Sequence, residues 1–347
     1  ASKTDGRAPY FIGVNRGKRS LTVDLRKPEG REVFLRLAET ADVVISNFKG
    51  GTMDGWGLGY DDVAARNPRI VYATGTVFGP TGSDVAREGA DLLGQAAGGL
   101  ISTTGTDSGH PTPVGATIAD FIASQSMANG ILAALFARVT TGRGQRVDVS
   151  LVGSQIWAQA SEYAAFGLTG RQAGPANYGH PLLNAAYFIV PTADGWLALA
   201  GVPPALRPAF YECIERPDLG LEPRFQEMLY PPETKHELHR ILSEIFPTRT
   251  TAEWSERLLA AGQRFAPVRD YAAVTSDPNM WENGYLTEFD HPDWGKVTMA
   301  GVPIRMSETP LVPGAFLAEL GQHTEEILLD LGYDWDQIAD LQSSGTI

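Results

Sequence analysis

A regular alternation of strand-like and helix-like segments constrains the fold of this chain more than any other feature. Ser20 to Leu25 alternates apolar and polar residues, which predicts a short strand, and a helix is predicted from about Arg31 to Thr40. The pattern then predicts a buried strand over residues 41–46, a helix near residues 60–67 and a third strand over residues 70–74. Strand–helix–strand units of this length predict a parallel α/β sheet.

The strongest helix prediction covers Phe121 to Arg138, where apolar residues recur at near-helical spacing. Asp120 stands at its start, among the small residues Gly115, Ala116 and Ala119. One interpretation is structural, because an Asp immediately before a helix is a favoured N-cap. The other is chemical: a helix start favours an ionised carboxylate, which can attack a thioester carbonyl and divide an acyl transfer into two easier steps.

Composition limits the classes of function. The 347 residues carry a net charge of -13, which argues against a general nucleic-acid or acidic-membrane binder, because phosphates are held by clustered Lys and Arg. The length allows about two domains. The chain has a single cysteine, Cys213, and we expect neither a signal peptide nor an apolar run of membrane-spanning length. These features predict a cytoplasmic protein that contacts neither nucleic acid nor membrane.

Two short motifs are compatible with a phosphorylated ligand. The basic cluster from Asn15 to Ser20 is either a solvated loop or a phosphate contact, since Arg offers a planar fork of donors. Asn47, Phe48 and Lys49 follow the carboxyl end of a predicted strand, where open α/β sheets bind nucleotides. No Walker A loop, dinucleotide glycine fingerprint or Gly-x-Ser-x-Gly elbow is present, which removes most support for phosphoryl or hydride transfer.

Histidines give weaker signals. His236 and His239 lie three residues apart on a predicted helix, but the sequence places no third ligand near them, so no metal site is expected. His180 lies in a linker, where it either faces a site or is a buried structural residue.

The second half of the chain predicts a different organisation. The opening Ala1 to Tyr10 reads as a loop, and the Gly-, Pro- and Asn-bearing segment from Thr169 to Pro181 as a linker. A β-hairpin is predicted from Tyr187 to Ala200, around the turn at residues 192–195. The remaining predictions are an apolar helical segment over 151–165, helices near 206–213, 234–245 and 251–261, strands and loops over 266–304, and tail helices over 322–331 and 335–341.

Taken in order, several of these segments resemble the class III CoA-transferases, the CaiB/BaiF family that includes formyl-CoA transferase and is related to the α-methylacyl-CoA racemases. The resemblance covers nearly the whole chain. It rests on the segments Asn15 to Leu25, Ala41 to Val43 with Asn47-Phe48, Gly89 to Asp91 with Gln95-Ala96, Gly115 to Asp120, Thr141 to Gln145, Asp194 to Trp196, Ser307 to Pro310 and Leu320 to Leu328.

The resemblance implies a fold and an assembly. It implies a Rossmann-like large domain, a smaller inserted α+β domain and a homodimer whose chains interlock, although a heteromer stays open. The corresponding boundaries are residues 1–168 for the large domain, 169–185 for the linker, 186–285 for the small domain and 286–347 for a C-terminal segment that returns to the large domain. The family's N-terminal strand–helix–strand element is absent from this chain, so another chain or a truncation would account for it.

The resemblance also implies roles for particular residues. Asp120 matches the catalytic Asp, and Asp91 and Gln95 are candidates for catalytic support, with a salt-bridged structural Asp91 as the alternative. Val23, Arg26, Asn47, Phe48 and Lys49 match the CoA contacts, and Arg19 is a further phosphate candidate. Tyr178 and His180 would shape the pocket for the carboxylic acid. Coenzyme A then enters as a substrate, as an acyl-CoA, and no permanently bound cofactor is expected.

Three functions stay open on this basis. The first is transfer of CoA from an acyl-CoA to a carboxylic acid through an aspartyl-CoA intermediate. The second is racemisation of a 2-methylacyl-CoA, but the racemases pair their Asp with a His in a Gly-His-Asp triplet, and here the triplet is Gly89-Ala90-Asp91. Two-base proton exchange would lack one partner. The third is a CoA-binding subunit without catalysis of its own.

Overall fold

The structure is a computed structural model that describes residues 9–172, 174–291, 294–312, 314 and 317–347. The first half contains strands β1 Val43–Ser46, β2 Val71–Thr76 and β3 Arg146–Ser150, and helices α1 Pro9–Val14, α2 Pro28–Thr40, α3 Thr52–Gly55, α4 Tyr60–Arg66, α5 Asp91–Ala97, α6 Leu100–Thr103, α7 Ile118–Thr141, α8 Leu151–Ala158 and α9 Ala160–Thr169.

The second half contains strands β4 Tyr187–Pro191, β5 Trp196–Ala200, β6 Phe265–Pro267, β7 Leu286–His291 and β8 Gly295–Ala300. Its helices are α10 Arg207–Cys213, α11 Pro232–Ile245, α12 Thr251–Ala260, α13 Tyr271–Thr275, α14 Pro278–Glu282, α15 Thr324–Asp330 and α16 Trp335–Ser343. Short 3-10 turns occupy Pro204–Leu206, Pro217–Leu221, Pro223–Phe225 and Phe246–Thr248.

A parallel sheet in the order β1-β2-β3 forms the centre of the first half. Val71, Tyr72 and Ala73 of β2 are buried, as expected for a central strand covered on both faces. This confirms the predicted parallel pairing of the segments near residues 41–46 and 70–74. Strand β3 was not predicted, although its alternation of polar and apolar residues is the pattern of a strand.

The predicted strand from Ser20 to Leu25 is wrong. Its backbone pairs with the C-terminal part of the chain instead of with a strand: the amide of Ser20 donates to His323 Nδ1 over 3.1 Å, and that of Asp24 donates to the carbonyl of Thr346 over 2.7 Å. Alternation of apolar and polar residues shows only that one side of a segment is buried, so it cannot distinguish a strand from an extended segment without strand partners.

Three further predictions need correction. The apolar segment over residues 151–165 is two helices, α8 and α9, separated at Gln159. The region over 266–304 holds the short helices α13 and α14 besides its strands. Pro9 and Tyr10 belong to helix α1 rather than to a loop, while residues 1–8 of the predicted opening loop lie outside the described part of the chain.

A second sheet, antiparallel in the order β4-β5-β6, confirms the predicted hairpin. The predicted helices of this region appear as α10, α11 and α12, and they bury their apolar faces against the sheet. Trp254 on α12 is fully buried and donates its indole N–H to the carbonyl of Phe246 over 2.7 Å. This region therefore has a hydrophobic core of its own.

The chain returns to its first half at the C-terminal end. Leu328 of α15 and Ile338 and Leu341 of α16 form one buried cluster with Val33 of α2. This packing is compatible with a C-terminal segment that completes the first domain. The exact domain boundaries, the Rossmann-like class and the interlocked dimer stay predictions.

Helix α7 meets the criterion for a membrane-spanning segment by length and composition, with 17% of its apolar window buried. The expectation that no such segment occurs is therefore wrong for this helix. This criterion concerns length and composition only. It carries Asp120 in its first turn and Arg138 in its last.

Candidate active site

Asp120 lies in the first turn of α7 and is not its N-cap. The helix begins at Ile118, and Thr117 occupies the N-cap position without a side-chain cap hydrogen bond. Burial, and next the negative charge of Asp91, raise the pKa of the Asp120 carboxyl, while a hydrogen bond from Tyr10 acts in the opposite direction. The carboxylate is half-buried at a helix start, where the macrodipole favours its ionised form.

Asp91 and Gln95 lie beside Asp120, as the resemblance implied. Asp91 Oδ1 accepts hydrogen bonds from the amides of Ala119, over 2.7 Å, and of Asp120, over 3.3 Å. Its Oδ2 accepts one from Gln95 Nε2 over 2.6 Å. The structure therefore brings together three of the predicted catalytic residues, and the alternative of a salt-bridged Asp91 finds no cation within ion-pair distance among the described residues.

Tyr10 is a site residue that the sequence did not reveal. Its hydroxyl lies 3.5 Å from Asp120 Oδ2, and burial followed by the charge of Asp120 raises its pKa. Pro9 at the first position of α1 is a usual helix-start signal and could have shown the helix. The contact with Asp120 crosses 110 residues of sequence, so no local pattern could have shown it.

A surface cavity of about 470 Å³ brings together three of the residues expected to contact CoA. Val23, Arg26 and Phe48 line it with Trp56 and with the C-terminal residues 345–347. The rings of Phe48 and Trp56 meet edge to face, with centroids 5.5 Å apart. Phe48 is half exposed, so part of its surface is open to a ligand.

Arg26 is not free in this cavity. Its guanidinium makes a two-pronged contact with Asp24, with both N–O distances at 2.9 Å. Hydrogen bonds from the Arg26 side chain and backbone lower the pKa of Asp24 to about 2. A phosphate would have to compete with Asp24 for this guanidinium.

The other predicted CoA residues lie apart from that cavity or at its margin. Lys49 lines a smaller pocket of about 240 Å³ at the carboxyl ends of β1 and β2, and it pairs with Glu88 over 3.6 Å. Asn47 is exposed between Ser46 and Phe48. Arg19 lines a different cavity and is held by Glu326 and Asp330 of α15. The structure therefore does not bring Arg19 to the Phe48 cavity.

The two residues expected at the acid pocket are held in the linker. His180 Nε2 lies 2.8 Å from a carboxylate oxygen of Glu162 on α9, and its Nδ1 accepts from the amide of Leu182. Tyr178 stacks on His239 with ring centroids 3.6 Å apart, and its buried hydroxyl has no partner among the described residues. Both His180 ring nitrogens are occupied in this arrangement.

No group of three or more His, Cys, Asp or Glu side chains is arranged to hold a metal ion in the part of the chain that the structure describes. His236 and His239 instead flank the ring of Tyr178.

Comparison with known proteins identifies the family. The family model of CoA-transferase family III matches residues 1–324. A succinyl-CoA:mesaconate CoA-transferase of Haloarcula marismortui is 35% identical over 334 residues, covering 94% of this chain and 82% of that protein. A succinyl-CoA:glutarate CoA-transferase of Homo sapiens is 29% identical over 340 residues, covering 97% of this chain and 77% of that protein.

The fold agrees with these relatives. The crystal structure of a CaiB/BaiF family protein from Brucella suis superposes with a TM-score of 0.81 at 29% identity, covering 93% of this chain and 84% of that one. The chain belongs to CoA-transferase family III. It is an enzyme of the CoA-transferase class, as the sequence motifs predicted.

Proposed function

We propose that this enzyme moves CoA from succinyl-CoA to a second dicarboxylic acid, with Asp120 as the covalent nucleophile. The observation that carries the proposal is the half-buried carboxylate of Asp120 in the first turn of α7, beside Asp91 and Tyr10. Burial raises the pKa of this carboxyl and weakens its hydration, which makes it a better nucleophile at neutral pH than an exposed Asp.

The reaction is a series of exchanges between carboxylate and thiolate. Asp120 attacks the thioester carbonyl, and CoA leaves as the thiolate while a mixed anhydride forms. The thiolate attacks the aspartyl carbonyl of that anhydride, which releases the donor acid and leaves an aspartyl-CoA thioester. The acceptor carboxylate attacks this thioester, and the released thiolate attacks the acceptor's carbonyl, which restores Asp120. No net proton transfer is needed.

Oxyanion stabilisation comes from outside the start of α7. The amide of Ile118 donates to Ala116, that of Phe121 donates to Thr117, and those of Ala119 and Asp120 donate to Asp91. The bond from Phe121 is the first ordinary bond of the helix, whereas the amides of Ile118, Ala119 and Asp120 are among those that a helix start usually leaves free, and here all three are occupied. The amides of Gly94, Gly98 and Gly99 at and after α5 also donate to carbonyls, so donors from another chain would have to receive the developing charge.

The substrate class comes from the relatives. Their names combine succinyl-CoA with mesaconate, glutarate, citramalate or malate, which are all dicarboxylic acids. We propose the same class here, with Tyr178 and His180 shaping the acid pocket. We assign the CoA nucleotide to the cavity of Val23, Arg26 and Phe48, with Asn47 and Lys49 at its margin.

A second copy of the chain is the proposed partner of α7. Leu132, Phe136 and Val139 have exposed fractions of 64%, 81% and 82%, and their spacing places them on one helix face. Burying such a face between two copies removes apolar surface from water. A homodimer in the cytoplasm is consistent with the family assignment and accounts for the apolar length of this helix without a membrane.

A partner subunit of different sequence is the second candidate. One relative, 31% identical over 343 residues, is named a succinyl-CoA–L-malate CoA-transferase beta subunit in Chloroflexus aurantiacus. The occupied amides at the start of α7 favour a second chain that supplies oxyanion donors. In that case this chain would bind CoA but require its partner for turnover.

The test is mass spectrometry of the intact protein and of its proteolytic peptides after mixing the chain with succinyl-CoA, with and without hydroxylamine. A CoA adduct on the peptide that contains Asp120, removed by hydroxylamine and absent in Asp120→Asn, is the expected result. Full turnover by Asp120→Asn would overturn the mechanism. Deuterium entry at the α-carbon of a 2-methylacyl-CoA without an adduct would establish racemisation. CoA binding with neither reaction would establish a partial subunit.

A further inference from the structure

The start of α7 is capped by a side chain that is distant in sequence. A helix start leaves its first amides without partners inside the helix, and the N-cap side chain usually satisfies one of them. Thr117 makes no such bond. Asp91 Oδ1, from the first residue of α5, accepts from Ala119 and Asp120 in its place. One of these two amides belongs to the proposed nucleophile itself.

Gln95 fixes the other side of this cap. Its side chain is 1% exposed, and its Nε2 donates both to Asp91 Oδ2, over 2.6 Å, and to the carbonyl of Ala116, over 3.3 Å. Its Oε1 accepts from the amide of Val114 over 3.0 Å. Gln95 therefore holds both the capping carboxylate and the segment that leads into α7, so neither can shift independently.

We infer that Asp91 is a positioning residue, which together with Gln95 fixes the first turn of α7 and thereby places the Asp120 carboxylate for attack. This inference rests on the proposed role of Asp120. It assigns no contact with substrate to Asp91. The local arrangement costs electrostatic energy, because two carboxylates lie close together, and the three hydrogen bonds to Asp91 offset that cost.

The charge of Asp91 has a second consequence for Asp120. The groups that face Asp120 are Asp91 of α5 and Tyr10 of α1, and the negative charge of Asp91 adds to burial in raising the pKa of Asp120. Removing that charge should therefore lower the pKa at which Asp120 ionises. This titration reports the charge of Asp91, and hydrogen exchange of the first turn of α7 reports its role as a cap.

The experiment compares Asp91→Asn, Asp91→Ala and a control, Asp61→Asn. Asp61 is also an acidic residue in the first turn of a helix, α4, and it is exposed. We expect kcat to fall about 10-fold to 100-fold in Asp91→Asn and further in Asp91→Ala, with KM for succinyl-CoA changed less than about threefold, because small displacements of a reacting group are costly. The acidic limb of the kcat profile should move to lower pH in Asp91→Asn. The control should match the wild type.

Hydrogen exchange of the peptide covering residues 116–125 supplies a readout that does not need activity. Exchange should be faster in Asp91→Ala than in the wild type and unchanged in Asp61→Asn, because the lost cap frees amides of the first turn. Unchanged exchange, or an unchanged kcat and pH profile in both Asp91 variants, would overturn the inference. Absence of an aspartyl-CoA adduct in the wild type would instead contradict the proposed function, while the exchange result still tests the cap.

Discussion

Gly94 packs directly against Ala119, the residue before the proposed nucleophile. A β-carbon on Gly94 would lie 2.9 Å from Cβ of Ala119 and 2.8 Å from Cβ of Leu151. Those two atoms are attached to the backbones of α7 and α8, so they can move only if a helix moves. The absence of a side chain at Gly94 therefore sets how closely α5 approaches the start of α7, and with it the distance from Asp91 to the amide of Ala119.

Gly94→Ala should lower both activity and stability. We expect a loss of about 1–3 kcal/mol in the free energy of unfolding, typical of overpacking, and a fall in kcat that is larger than the change in KM for succinyl-CoA. Gly167→Ala is the matched control: it is also helical, and a β-carbon there meets nothing within 4 Å. Urea unfolding and steady-state kinetics provide the measurements. Equal behaviour of the two variants would show that α5 and α7 tolerate a wider spacing.

Phe48→Ala should weaken CoA binding with little effect on the chemical step. Stacking of a base on an aromatic ring contributes about 1–3 kcal/mol, so the Kd for CoA is expected to rise about 5-fold to 150-fold. Tyr271→Ala, which removes an exposed aromatic ring on α13, is the control. Isothermal titration with CoA measures both variants. An unchanged Kd in Phe48→Ala would remove the Phe48 cavity from the CoA site.

Phe136→Glu should disrupt the assembly without unfolding the chain. Its side chain is 81% exposed, so a charge there costs little in an isolated chain but is unfavourable in an apolar interface. Light scattering after size exclusion should change from dimer to monomer. Leu221→Glu, equally exposed but on the second half of the chain, should leave the wild-type mass unchanged. If the wild type floats with liposomes and Phe136→Glu does not, the face contacts a membrane and the dimer proposal fails.

Asp120→Asn should stabilise the protein at neutral pH. The pKa of Asp120 is raised from its ordinary value of 3.8 by burial and then by Asp91, so the ionised form is less favourable in the folded state than in the unfolded state. Wild-type stability then falls as pH rises from the unfolded-state pKa through the folded-state pKa, and the full cost is present at neutral pH. Because the carboxyl is partly solvated, we expect a gain of only a few tenths of a kcal/mol.

Urea unfolding at a series of pH values, from neutral pH downward, measures the free energy of unfolding of Asp120→Asn and of the wild type. The quantity compared is the difference between the two proteins at each pH. The gain should shrink as pH falls toward the unfolded-state pKa of 3.8. A gain that is independent of pH would show that ionisation of Asp120 is not its cause.

Most of the helices and strands could be predicted from the sequence, but some predictions were wrong. The central parallel strands, helix α7 and the hairpin of β4 and β5 follow from periodicity and turn residues, which act between near neighbours. The segment from Ser20 to Leu25 has the same periodicity as a strand, but its partners come from the C-terminal end of the chain and form no ladder with it.

Some residues of the candidate active site were identified from the sequence, and others only from the structure. Asp120, Asp91 and Gln95 were identified by resemblance, and the structure brings them together; their catalytic roles stay proposals. Tyr10 gave no signal in the sequence, because its proximity to Asp120 depends on the path of the chain between them. Arg19 was grouped with the CoA contacts by its charge, yet the structure pairs it with α15, since acidic residues there lie within reach of its guanidinium.

The sequence by itself determined the family, the order of the principal elements and the identity of the candidate nucleophile. Only the tertiary structure decided that Asp91 rather than Thr117 caps α7, and that residues 345–347 line the same cavity as Phe48. The physical reason is the range of the interactions. Helix and strand periodicity is a property of adjacent residues, whereas a cap or a cavity wall depends on which distant segments burial brings into contact.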